Sequence, residues 1–89
     1  MQEIQIPIIN KLGLHARAAS KFVTTSTAFA SRIQVSAGQQ WVDGKSIMSV
    51  MMLAASKGMT LHIRCEGEDE QAALDALVDL IERRFDEGE

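Results

Sequence analysis

Three short segments in which apolar and polar residues alternate constrain the fold more than any other feature of the chain. They cover residues 2–8, 32–36 and 60–66. Alternation with period two is typical of strands that bury one face. A fourth, short strand is predicted at Trp41 and Val42, after a turn over 37–40. The pattern predicts a sheet that is covered on one side only.

The segments between these strands have helical spacing. Helices are predicted over residues 15–28, 47–55 and 69–85, and Ser46 stands at the N-cap position of the second. The last helix carries a buried stripe of Leu74, Leu77, Val78, Ile81 and Phe85. The resulting order, β-α-β-β-α-β-α, predicts an α+β fold in one domain, 1–89, with helices packed on one face of the sheet.

Composition excludes several classes of protein. Apolar residues make up 46% and charged residues 24% of the 89, as in ordinary globular domains. No apolar run approaches the ~18–20 residues of a membrane helix, and no secretory signal is visible. The single cysteine predicts a fold without an internal disulfide, and we expect a cytoplasmic protein. The length is too small for the large barrel and dinucleotide-binding enzyme folds.

Charge is distributed unevenly along the chain. Residues 1–57 hold six basic groups and two acidic ones, a net charge of +4, whereas residues 58–89 hold three arginines and ten acids, a net charge of −7. A positive patch of this size suits acidic protein surfaces or phosphate better than duplex DNA. Four aromatic residues without tyrosine offer no stacking platform for single strands, so we expect no nucleic-acid partner.

The segment from Leu12 to Arg17 delivers a histidine to the start of a helix. The N-terminus of a helix presents unpaired N–H groups and a positive dipole end, which hold anions and disfavour a protonated imidazole. Histidine is a poor capping residue, so its presence at His15 calls for a reason other than capping. Arg17 adds a forked cation that could neutralise phosphoryl oxygens. We interpret His15 as a phosphoryl acceptor and donor, against the alternative of a merely exposed histidine.

The helix that follows Ser46 is apolar almost all round. A thin domain cannot enclose such a helix, so one stripe is expected to pack on the sheet while another meets partners. Its methionines suit docking to several partners, although an all-core interpretation stays open. Ser46 is expected to be a plain N-cap, where a phosphate would also be favourable and would place a dianion beside the docking surface.

Three weaker signals carry no predicted site. The glycines before Lys45-Ser46 have the wrong spacing for a phosphate-binding P-loop. His62 and Cys65 have metal-like spacing but are predicted on opposite faces of a strand, with Cys65 in the core, so no metal or cofactor is expected. The C-terminal acids are interpreted as a solvated helix face and a frayed end.

Gly13-Leu14-His15-Ala16-Arg17 and, about thirty residues later, Lys45-Ser46-Ile47-Met48 resemble the HPr family of histidine-containing phosphocarriers. These proteins serve the bacterial phosphoenolpyruvate-dependent sugar phosphotransferase system. The resemblance covers essentially the whole chain. It implies an open-faced sandwich, a four-stranded antiparallel sheet covered by three helices.

The resemblance also implies the roles of individual residues. His15 would take a phosphoryl group on Nδ1 from phospho-enzyme I and pass it to sugar-specific IIA components, while Arg17 stabilises the phosphohistidine. Ser46 matches the position that HPr kinase/phosphorylase modifies in some bacteria. The positions expected to dock partners are Ala16, Ile47, Met48 and Met51. Such a protein is a covalent group carrier, not an independent enzyme, and we expect a monomer.

Two departures from the family and two alternative functions accompany this interpretation. Ala18 stands where the family usually has proline, and Ser49 where it commonly has glycine. One alternative is the nitrogen-branch paralogue, which shares the fold and the histidine but serves regulatory partners. The other is a regulatory binding module that acts through Ser46. A pure regulator needs only Ser46, so the presence of both His15 and Arg17 favours the carrier.

Overall fold

The computed structural model describes residues 1–88 and contains four strands and three helices. In chain order these are β1 Gln2–Pro7, α1 Ala16–Thr27, β2 Arg32–Ser36, β3 Val42–Asp43, α2 Ile47–Met52, β4 Thr60–Glu66 and α3 Glu70–Glu82, followed by a single turn at Arg84–Asp86. None of the helices within the described range is long and apolar enough to cross a membrane.

The strands form one antiparallel sheet in the order β1-β4-β2-β3. The central strand, β4, pairs Ile63 with Ile4 of β1 and with Val35 of β2. This register places the alternating apolar residues of three strands on the same face, where the helices cover them. The predicted α+β, open-faced architecture is confirmed.

The core lies between the sheet and the helices. Phe22 of α1, Val50 of α2 and Leu77 of α3 are all fully buried against the inward residues of the strands. Cys65 belongs to this core, and burial, together with the charges of Glu70 and Asp69, raises the pKa of its thiol to about 11. Cys65 therefore stays a protonated, small apolar side chain, and neighbouring His62 lies on the opposite, uncovered face.

Helix α2 is shorter than predicted, ending at Met52 and not at residue 55. The amides of Leu53 and Ala54 donate to carbonyls three residues back, and Ala54 has φ of 50°, so the helix tightens and stops in a left-handed residue. This end frees the carbonyl of Ala55, which accepts the amide of Leu14 at 2.9 Å. The early stop thus attaches the loop before His15 to the end of α2.

Helix α3 also ends earlier than the predicted residue 85. The helix stops at Glu82, and the residues from Arg84 to Asp86 adopt φ angles of 53–62°, a left-handed turn without glycine. Such a turn costs roughly 1–2 kcal/mol per residue. The turn nevertheless buries Phe85 completely, and its carbonyl accepts a hydrogen bond from Lys21 at 2.8 Å. Burying a phenylalanine contributes about 1.5–3 kcal/mol, which offsets part of that cost.

Candidate functional site

The loop that carries His15 is fixed by its neighbours on both sides. Ile8 exchanges backbone hydrogen bonds with Gly58 and Met59, each at 2.9 Å, at the entrance to the loop. Leu14 is buried at its exit. The backbone immediately before the histidine is therefore held against the connection between α2 and β4.

Gly13 lets this loop pass close to the end of α2. Its φ is +65°, and a Cβ atom at this position would lie 2.6 Å from the Ala55 oxygen and 2.8 Å from the Ser56 Cα. Both neighbours are backbone atoms, which cannot move aside without moving the chain. Position 13 therefore requires glycine for two reasons: the positive φ angle, and the lack of room for a Cβ atom.

We expect Gly13→Ala to lower the free energy of unfolding by about 3 kcal/mol, because strain and a backbone clash act together. Gly38→Ala is the matched control, since Gly38 also has positive φ (+101°) but its Cβ would meet nothing within 4 Å. The control should lose about 1 kcal/mol. Urea unfolding of both variants measures the difference, and equal losses would contradict the close-approach argument.

His15 is the N-cap residue of α1, and the helix begins at Ala16, one position later than predicted. Its backbone is extended (φ −75°, ψ 178°), and its carbonyl accepts the Ala19 amide at 2.8 Å. The side chain makes no capping hydrogen bond, so the imidazole is directed elsewhere. It is 27% exposed, enough for a reacting group to reach it from solvent.

The imidazole is bound to a carboxylate from the other end of the chain. Nε2 of His15 forms a short hydrogen bond with Oε2 of Glu87, whose side chain is only 10% exposed. The second oxygen of Glu87 accepts a hydrogen bond from Asn10 Nδ2 at 2.9 Å. Asn10 is fully buried and also donates to the Gly13 carbonyl at 2.8 Å. One network therefore joins the histidine, its loop and the C-terminal segment.

Glu87 is ionised in this network. Desolvation raises the pKa of its carboxyl, but the hydrogen bonds from Asn10 and His15 and the charges of His15 and Arg17 outweigh it, and the pKa lies below the usual value. An ionised carboxylate only accepts hydrogen bonds, so Nε2 of the imidazole carries the proton. In the neutral ring the lone pair is then on Nδ1.

Sequence reasoning missed Glu87, the partner of His15, and Asn10, which donates a hydrogen bond to Glu87. The C-terminal acids were interpreted as a solvated face and a frayed end, and this is wrong for Glu87, which is largely buried in the site. Asn10 was assigned only to a loop. An asparagine three residues before a glycine is a usable sequence signal for a structured turn, whereas nothing local to Glu87 indicates its partner.

The other predicted site residues surround this network. Arg17 lies exposed in the first turn of α1, and its guanidinium forms no hydrogen bond or ion pair within the described part of the chain. Ala16 is exposed beside it. Ala18, where the family usually has proline, is fully buried.

Helix α2 buries one side and exposes the other. Val50 is fully buried, whereas Ile47, Met48 and Met51 are 43%, 69% and 38% exposed. Met52 is exposed as well, at 77%. The predicted division of this helix into a packed stripe and an open stripe is confirmed, although its role in docking stays a prediction.

Ser46 is the N-cap of α2, as predicted. Its hydroxyl accepts a hydrogen bond from the Ser49 amide at 3.3 Å. Ser49, the second departure from the family, is half-buried and supplies this contact through its backbone, which a glycine would supply equally well.

Comparison with known proteins assigns the family. Residues 2–83 match the family described as PTS HPr component phosphorylation site. The phosphocarrier protein HPr of Pseudomonas aeruginosa is 58% identical over the whole of both chains. A crystal structure of HPr from Thermoanaerobacter tengcongensis superposes with a TM-score of 0.94, at 48% identity and 98% coverage of both chains. The phosphocarrier protein NPr of Shewanella violacea is less similar, 39% identical over 96% of this chain and 93% of its own length.

These matches cover nearly the whole chain at high identity. Members of this family carry a phosphoryl group and are not independent catalysts. The chain belongs to the HPr family of phosphotransferase-system phosphocarriers.

Proposed function

We propose that this chain accepts a phosphoryl group on Nδ1 of His15 from phospho-enzyme I and donates it to sugar-specific IIA components in the cytoplasm. The observation that carries the proposal is the bond between His15 Nε2 and the Glu87 carboxylate. This bond holds the proton on Nε2 and leaves the Nδ1 lone pair as the nucleophile. Family membership supports the carrier role in general.

The chemistry needs only what the site provides. The Nδ1 lone pair attacks phosphorus, the new N–P bond forms, and the bond between phosphorus and the donor atom breaks with its electrons left on the donor. The ring then carries positive charge, which the carboxylate of Glu87 stabilises through Nε2–H. Arg17 and the first N–H groups of α1 neutralise the phosphoryl oxygens. Donation to the next partner is the reverse of these steps.

Partners would dock on the exposed side of α2 and the start of α1. Ile47, Met48 and Met51 form an apolar patch, and Ala16 stands beside the histidine. Methionine side chains adapt to partners of different shape, as a carrier with a donor and several acceptors requires. A monomer keeps this surface free, and we propose that the carrier acts as one.

The test is phosphorylation with phosphoenolpyruvate and a catalytic amount of enzyme I. We expect an intact mass increase of one phosphoryl group and a ³¹P NMR signal of an Nδ1-linked phosphoramidate that disappears in acid. Failure of transfer with an enzyme I that phosphorylates another HPr would refute the proposal.

The nitrogen branch is distinguished by competition between donors. The higher identity to HPr than to NPr favours the sugar branch. We therefore expect faster transfer from the sugar-branch enzyme I than from its nitrogen-branch counterpart at equal concentrations. The reverse order would assign the chain to the nitrogen branch.

We further propose that Ser46 is a regulatory site for an HPr kinase/phosphorylase. Ser46→Ala should lower the free energy of unfolding by about 1 kcal/mol, because the Ser49 amide loses its cap. Ser46→Asp keeps a capping oxygen and adds a negative charge beside the patch. We expect it to keep wild-type stability but to accept phosphoryl more slowly from enzyme I. Ala72→Asp, at an exposed position near the start of α3, is the control; equal rates for the two aspartate variants would contradict a regulatory role.

A further inference from the structure

Three basic side chains from separate parts of the chain line one open pocket of about 430 Å³. Lys11 comes from the loop before His15, Lys57 from the connection between α2 and β4, and Arg84 from the left-handed turn. Ile9 and Gly88 complete the lining. All three basic residues are exposed.

Two of the cations that line this pocket belong to Lys57 and Arg84. Within residues 1–88, neither the Lys57 ammonium group nor the Arg84 guanidinium forms an ion pair or a hydrogen bond. Arg84 has φ of 55°, and a strained residue without glycine persists only where the surrounding structure fixes it. The turn that brings Glu87 to His15 thus also fixes the backbone of Arg84 beside the pocket.

The pocket adjoins the network around the histidine. Lys11 follows Asn10 in the chain, and Gly88 follows Glu87. Asn10 and Glu87 are hydrogen-bonded to each other, and Glu87 to His15. Since consecutive Cα atoms are ~3.8 Å apart, two residues of the pocket lining lie one residue away from this network.

We infer that the pocket binds acidic side chains of the protein that delivers the phosphoryl group to His15. The inference rests on the proposed function and adds a second contact, separate from the apolar patch on α2. The charges support it: on a chain with a net charge of −3, the exposed basic residues of this pocket form a local positive surface, and such a surface attracts carboxylates. Such a surface raises the association rate and fixes the orientation of docking.

A protein fits this pocket better than a small anion does. Small ligands are held in enclosed sites with a few fixed polar groups. Here the pocket is open, and its charges stand on long, exposed side chains. Carboxylates already fixed on a partner surface need no such enclosure.

Charge reversal at one position tests the inference. Lys57→Glu and Arg32→Glu change the net charge equally, but Arg32 lies at the start of β2, away from the pocket lining. We expect Lys57→Glu to lower kcat/KM for phosphorylation by enzyme I about tenfold in low salt, and the difference to shrink as salt screens it. Arg32→Glu should change it less than twofold. Arg84→Glu is a second variant expected to behave as Lys57→Glu does.

Each other outcome has a definite meaning. Equal rates for Lys57→Glu, Arg84→Glu and Arg32→Glu, with normal transfer to the wild type, would overturn the inference and leave the proposed function intact. Saturable NMR shifts of Lys57 and Arg84 with inorganic phosphate at constant ionic strength would also overturn it, in favour of a small-anion site. No transfer to the wild type would refute the proposed function and this inference with it.

Discussion

Replacing His15 by alanine is expected to abolish phosphoryl uptake from enzyme I, whereas replacing His62 by alanine should leave it unchanged. The chain has two histidines, which makes His62 a natural control. His62 lies on the uncovered face of the sheet, at the edge of the Trp41 ring with 6.4 Å between ring centres. Among residues 1–88, no carboxylate is hydrogen-bonded to it. His15, in contrast, combines a tautomer fixed by Glu87 with a helix N-terminus.

The two variants must be compared as folded proteins. The His15 side chain makes no capping hydrogen bond, so its removal costs its hydrogen bond to the Glu87 carboxylate, about 1.5–3 kcal/mol. Circular dichroism and thermal unfolding check this. A His15→Ala variant that is folded and still acquires one acid-labile phosphoryl group would show that another residue is the acceptor.

The fold could be predicted because its determinants are local. Alternation in β4 places Leu61 and Ile63 on the covered face, and the register with β1 and β2 follows from matching their own alternation. The apolar stripe of α3 likewise determines which side of the helix faces the sheet, because its spacing is set within the helix itself. A repeat of two residues in a strand, or of 3.6 residues in a helix, indicates which side chains face the core from a short segment alone.

The end of α3 shows where local information stops. Phe85 continues the helical stripe of Leu77 and Ile81, so a longer helix was the natural prediction. The chain instead leaves the helix and buries Phe85 from a left-handed turn. Neither Arg84 nor Phe85 has a local preference for that conformation. It is selected by tertiary contacts, including the hydrogen bond from Lys21 to the Phe85 carbonyl.

For the same reason, the sequence predicts only part of the site, namely the residues that are close together in the chain. His15 and Arg17 are neighbours at a helix start, and their chemistry is readable from spacing. Glu87 lies 72 residues from His15 along the chain and reaches it only through the left-handed turn. Asn10 becomes meaningful only when Glu87 is in place, because it bonds to both the loop and the carboxylate.

Replacing Glu87 by glutamine is expected to slow phosphoryl uptake by about tenfold to a hundredfold. The amide has no charge with which to stabilise the phosphorylated ring, and a charge-assisted hydrogen bond contributes about 1.5–3 kcal/mol, where ~1.4 kcal/mol is a factor of ten. Glutamine also cannot accept from both partners equally, because its NH₂ group would face a donor, either Asn10 Nδ2 or His15 Nε2. Rapid-quench measurement of transfer from phospho-enzyme I gives the rate.

Glu82→Gln is the matched control. It makes the same chemical change in an exposed carboxylate at the end of α3, so it should transfer at the wild-type rate. The ¹⁵N chemical shifts of the two ring nitrogens of His15, measured when the ring is neutral, report which nitrogen carries the proton. A purely structural role of Glu87 would leave these shifts unchanged in Glu87→Gln. We expect the proton on Nε2 in the wild type and in Glu82→Gln, and a mixture of tautomers in Glu87→Gln.

The pH dependence of stability gives an independent check on Glu87. Its pKa is lower in the folded protein than the ordinary 4.5, so its interactions stabilise the fold fully above that pH and are lost as the pH falls through the lowered value. As the pH falls from 5 to below the lowered pKa, the free energy of unfolding should therefore decrease more for the wild type than for Glu87→Gln. Urea unfolding at each pH measures this free energy. If both proteins lose stability in parallel and transfer phosphoryl equally fast, Glu87 neither holds the proton on Nε2 nor stabilises the phosphorylated ring.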